Sequence, residues 1–110
     1  MPSIPFTVYG PAQGYFIPFL HDSRTLDYTA GHSGVLDVPD GPIDTERVLS
    51  RIFAEGNGHG DGPGFTVGRR SMSSGDVVHL EGLGVWLCAS VGWTRLDGAD
   101  AARFPLLAMA

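Results

Sequence analysis

The sequence predicts an α+β domain, a small antiparallel sheet with one main helix packed on a face. Three observations predict it. Residues 45–55 carry apolar side chains at helical spacing, the only long segment that does so. Short β-forming runs flank it, and two of them, 77–80 and 85–91, are joined by Glu81-Gly82-Leu83-Gly84, a hairpin turn. Sixteen Gly and eight Pro in 110 residues break the chain into short elements. This length is that of one domain. The expected division is an α+β domain over 1–98 and a C-terminal tail over 99–110.

Residues 4–9 alternate β-formers and close at Gly10-Pro11, a first strand. Residues 15–20 are a second apolar run, in which Pro18 calls for an edge strand or a bulge. The stretch 21–33 is polar and turn-rich. Residues 35–38 read as a short strand ending at Pro39-Asp40-Gly41-Pro42. The helix follows, capped by Asp44 or Thr45 and ended by Gly56-Asn57-Gly58, with Val48, Leu49, Ile52 and Phe53 on one face. Three turns do not persist alone, so this face must dock on a sheet. Five glycines in 56–64 predict a mobile loop. Beyond the hairpin, Trp93-Thr94-Arg95-Leu96 resumes a strand, and a short helix fits before Pro105. Leu49, Ile52, Phe53, Val78, Leu80, Trp86 and Leu87 are the expected core.

Seven Arg and no Lys against twelve acidic residues leave a net charge of −5, which disfavours a general nucleic-acid or anionic-membrane binder. No apolar run approaches the roughly 18 residues that cross a bilayer. Met1-Pro2-Ser3-Ile4-Pro5 lacks the basic start and apolar stretch of a signal peptide. Cys88, the single cysteine, lies in an apolar run and reads as a buried, inert thiol. A cytoplasmic protein is expected.

Catalytic patterns are missing from the residue spacing. The four His (21, 32, 59, 79) have no metal-ligand spacing, and Cys88 has no second cysteine beside it. Ser33, His32 and Asp37 make a triad only on paper, because Gly31-His32-Ser33-Gly34 is not a nucleophile elbow. The glycine-rich loop does not match a phosphate-binding loop, and there is no Lys to serve one. The expectation is no enzyme, no catalytic residue, no metal and no cofactor.

Arg70-Ser71-Met72-Ser73-Ser74-Gly75-Asp76-Val77-Val78-His79-Leu80, a short turn, and then Trp86-Leu87-Cys88-Ala89-Ser90-Val91-Gly92-Trp93 resemble the end of YodL-like domains. Upstream, 28–38 is similar to their extended segment, 48–53 to their helix, and Asn57 stands where they often have Asn. The resemblance spans about residues 4–96, with 70–93 as its specific part. Cys88-Ala89 departs from it, replacing a polar pair, and the glycine-rich loop is longer. The resemblance implies an accessory module of phages and mobile elements and assigns no molecular activity. Ser71, Ser73 and Asp76 fit a structural role, capping a turn and launching the strand at Val77.

Two functional readings follow. In the first, the protein is a non-catalytic interaction module that binds and modulates a host protein. Its candidate anchors are Tyr9, Tyr15, Phe16 and Tyr28, taken as exposed, with Arg24 as a polar companion. In the alternative, it binds nucleic acid or a nucleotide through Arg69 and Arg70 with nearby aromatics, and Ser71, Ser73 and Asp76 join as ligand contacts.

Overall fold

A computed structural model gives the fold and describes residues 3–11, 28–58, 64–66, 72, 75–89 and 92–107. The elements are β1 (Ser3–Pro11), β2 (Tyr28–Asp37), α1 (Thr45–Glu55), β3 (Val77–Leu80), β4 (Gly84–Cys88), β5 (Trp93–Leu96) and α2 (Gly98–Ala102). The strands form one antiparallel sheet in the order β2-β1-β3-β4-β5. This is the α+β architecture expected, with α1 across one face.

Alternation along β1 builds both faces of the sheet. Ile4, Phe6 and Val8 point to α1 and join Leu36, Val48, Leu49, Ile52, Val78 and Leu80 in the larger core. Thr7 and Tyr9 point the other way. The helix starts where Asp44 accepts a hydrogen bond from the Arg47 N–H, and it buries Val48, Leu49 and Ile52. Of the expected core, Leu49, Ile52, Val78 and Leu80 are fully buried, whereas Phe53, Trp86 and Leu87 are half-buried at its margins.

Two expectations are corrected. The strand expected at 35–38 runs from Tyr28, through residues that read as turn-rich because they are small and polar. Val8 pairs with His32 and Tyr9 with Ala30, so Gly31 is the extra residue of a β-bulge. That bulge reverses the side-chain alternation and sends Tyr28 and Ala30 to the face opposite α1. The residues expected as a tail instead close this second face. Phe104 is 1% exposed in a second core with Tyr9, Val77, Val85 and Leu96. The Leu107 N–H donates to Thr7 Oγ1 at 3.0 Å, and His79 Nδ1 lies 2.6 Å from the Phe104 carbonyl. At its described ends the glycine-rich segment is built into the fold. Gly56 is buried, its carbonyl accepts from the Met72 N–H, and a Cβ there would lie 2.7 Å from that of Met72. Residues 59–63, and the strand expected at 15–20, lie outside the described residues.

Candidate functional site

Two of the expected exposed anchors are interior groups. Tyr9 is 6% exposed, packs edge-on to Phe104 with ring centroids 5.2 Å apart, and donates its hydroxyl to the Pro105 carbonyl. Burial raises the pKa of its phenol. Tyr28 is half-buried, packs edge-on to Phe104 at 5.0 Å, and donates to the Gly75 carbonyl at 2.8 Å. The bulge at Gly31 and the C-terminal segment together cause this, and neither ring is available as a free anchor. Tyr15, Phe16 and Arg24 lie outside the described residues.

Of the alternative set, Asp76 is fully buried at the foot of β3. Backbone bonds tie the chain there to β4: the Gly75 N–H donates to the Cys88 carbonyl at 2.7 Å, and the Cys88 N–H to the Asp76 carbonyl at 2.8 Å. The Tyr28 bond to Gly75 therefore brings the two candidate sets to adjacent residues. Arg69, Arg70, Ser71 and Ser73 lie outside the described residues. Three other arginines engage the chain's own groups. Arg51 donates to the Asp37 carbonyl, Arg95 pairs with Asp97 at 3.5 Å beneath the Trp86 ring, and Arg103 sits over Phe104 and Tyr28. They lie on both faces of the sheet rather than along one surface.

The thiol of Cys88 is not a ready nucleophile. Burial, with Asp76 close by, pushes the Cys88 thiol up to about 12, so it stays protonated at neutral pH. Among the described residues no three of His, Cys, Asp and Glu gather as metal ligands, and every buried side-chain N or O has a partner.

What the sheet does present is an edge. Among the described residues β2 is its outermost strand on one side, ten residues long, against four for β5 on the other. An outer strand in an antiparallel ladder turns about half of its backbone N–H and C=O pairs away from its neighbour. β5 carries Arg95 and is followed by its ion-pair partner Asp97, the charged guarding common on sheet edges. From Tyr28 to Leu36, β2 has no charged residue and no Pro. Thr29, Ala30 and Val35 are exposed along it, Val35 at 46%. Sequence reasoning missed this site because 28–34 carries little hydrophobic signal. The readable sign was nine consecutive residues free of both charge and Pro beside a strand-length neighbour.

Comparison with protein-family models, with curated proteins and with solved structures finds no match for the chain. No helix among the described residues is long and apolar enough to cross a membrane.

Proposed function

We propose that the protein is a non-catalytic interaction module whose β2 edge takes up an extended segment of another protein as a sixth strand. The edge of β2, free of charge and Pro from Tyr28 to Leu36, carries this reading. Main-chain bonds along such an edge supply affinity, and the alternate exposed side chains select the partner. The protonated thiol and the absence of a gathered ligand set among the described residues favour binding over catalysis. The resemblance of 70–93 to YodL-like domains supports, in this reading, an accessory protein of phages or mobile elements that acts on a host protein in the cytoplasm. Tyr15, Phe16 and Arg24 stay candidate contacts, because the segment that holds them joins the paired positions Pro11 and Tyr28 at one end of the edge.

The test is affinity capture from host lysate with the wild type and with an Ala30→Lys, Val35→Lys double variant. Both positions are exposed, so the fold tolerates the change, while lysines on an edge obstruct strand addition. The wild type is expected to retain a specific protein that the double variant loses at unchanged melting temperature. Equal capture by both proteins overturns the edge as the site. A concentration-dependent dimer of the wild type alone, by sedimentation, replaces the host partner with a second copy of this chain. Binding to a mixed RNA and DNA pool that Arg69→Ala and Arg70→Ala abolish overturns the protein-binding reading in favour of nucleic acid.

A further inference from the structure

On the α1 face, away from the β2 edge, a cleft of about 410 Å³ opens between the helix and the far end of the sheet. Glu46, Ser50 and Phe53, at i, i+4 and i+7 of α1, form one wall. Cys88 and Ala89 from the end of β4, with Gly92 and Trp93 from the start of β5, form the other. The volume lies near the lower end of ligand-site sizes, roughly 300–1,000 Å³, and suits one side-chain-sized group.

The chemistry of the lining narrows the occupant. Glu46 is the single charged side chain among the described lining residues, and the thiol of Cys88 is neutral. Asp44 and Glu46 offset the positive end of α1. The nearest cation along the strand, Arg95, is drawn off to Asp97 and to the Trp86 ring. Trp93 and Phe53 pack edge-to-face with centroids 6.4 Å apart, so aromatic surface lines the same cleft as the Glu46 carboxylate. A carboxylate next to indole is the pairing that holds a flat cation, by a charge-assisted bond on one side and ring attraction on the other.

We infer that this cleft receives the guanidinium of an arginine carried on a partner's peptide segment, with Glu46 as its carboxylate and Trp93 as its stacking surface. The inference rests on the interaction-module reading and adds a second, side-chain-specific contact to the strand-pairing edge.

The experiment titrates end-blocked Gly-Arg-Gly, Gly-citrulline-Gly and Gly-Leu-Gly into the ¹⁵N-labelled protein and follows the indole N–H signals of the two tryptophans. Trp93→Phe assigns them and keeps an aromatic ring in place. The arginine peptide is expected to shift the Trp93 signal saturably, the citrulline peptide to bind at least tenfold more weakly, and Glu46→Gln to weaken the arginine peptide at least fivefold. Glu46 is exposed on α1, so the variant keeps the fold. Equal binding of the citrulline or leucine peptide, or no effect of Glu46→Gln, overturns the inference. Free guanidinium chloride at matched concentration separates a peptide-borne arginine from the bare ion. If it binds as tightly as the peptide, the site is for a small cation instead. The Ala30→Lys, Val35→Lys variant is expected to bind the arginine peptide as the wild type does. Loss of partner capture with that binding intact breaks the edge and the cleft apart as separate claims.

Discussion

The two faces of the sheet are closed by different means. On one, α1 lays Val48, Leu49 and Ile52 over Ile4, Phe6, Val8, Val78 and Leu80, and cohesion comes from apolar area spread over many side chains. On the other, a short C-terminal segment does the work with one large ring. Phe104 fills the space among Tyr9, Val77, Val85 and Leu96, and polar bonds from Tyr9, His79 and Thr7 hold the backbone of residues 104–107 in place. Distributed burial tolerates partial loss, whereas a single plug held by a few hydrogen bonds does not. The cleft and the β2 edge both depend on the sheet staying closed on its two sides.

The comparison breaks first at Phe104. Phe104→Ala empties the centre of the second core and is expected to destabilise by about 4 kcal/mol, the middle of the range for a buried Phe. Urea unfolding measures it. A loss below about 1 kcal/mol, within the usual effect of a surface change, would show the segment to be an ornament rather than a lid. On the helix face, Leu49→Ala is expected to cost about 3 kcal/mol, since its neighbours Val48, Ile52 and Val78 can relax partly into the space. A larger loss at Leu49 than at Phe104 reverses the contrast between the faces.

The fold class and α1 were legible because helical periodicity, an Asp cap and a closing Gly all point the same way over Thr45–Glu55. The hairpin was legible for a similar reason, with turn residues between two apolar runs. The first seven residues of β2, 28–34, were not. Gly31 is there for a bulge and Gly34 because Phe6 lies across it, with a Cβ only 3.2 Å from the ring, and these tertiary demands look like turn signals in a sequence. The lid was missed because one Phe in a polar, alanine-rich stretch has no period, and its core partners come from the strands of the sheet rather than from its own segment. Tyr9 and Tyr28 were misplaced for the same cause. An aromatic outside a periodic pattern reads as free until the element that covers it is known. The cleft residues Glu46 and Ser50 sit on the polar side of a legible helix, and only the sheet behind them makes a wall.

A smaller effect sharpens how the lid is held. The Thr7 hydroxyl, fully buried, lies 3.0 Å from Ser33 Oγ and accepts from the Leu107 N–H. Thr7→Val keeps the shape and removes both bonds, leaving the Leu107 N–H without its acceptor, at an expected cost of about 1–2 kcal/mol. Hydrogen exchange at the Leu107 amide should accelerate in the variant more than at amides of α1. Uniform acceleration across both faces would mean that the two are a single cooperative unit with no separate lid.

The smallest effect lies on the helix face, at the point where β2 meets the segment after the glycine-rich loop. The His32 ring stacks on Phe65 at 4.3 Å and 6°, and both rings lean on Phe6. Gly34 leaves room for this stack, since a Cβ there would come within 3.1 Å of His32 Nε2. Burial lowers the His32 pKa from 6.5, because a protonated imidazole is poorly solvated among the rings. The unfolded chain thus takes up this proton at a higher pH than the folded one. Stability from the neutral stack is complete above pH 6.5 and declines as pH falls through the window between 6.5 and the lower folded value. His32→Phe keeps an aromatic ring on Phe65 and removes the titration. The urea midpoint of the wild type is therefore expected to drop more between pH 7.5 and pH 5.5 than that of the variant, with the other histidines cancelling in the difference. Parallel pH profiles would show that the stack is held as firmly with the charge as without it. The helix face would then lack the one polar sensitivity that sets its margin apart from its apolar centre.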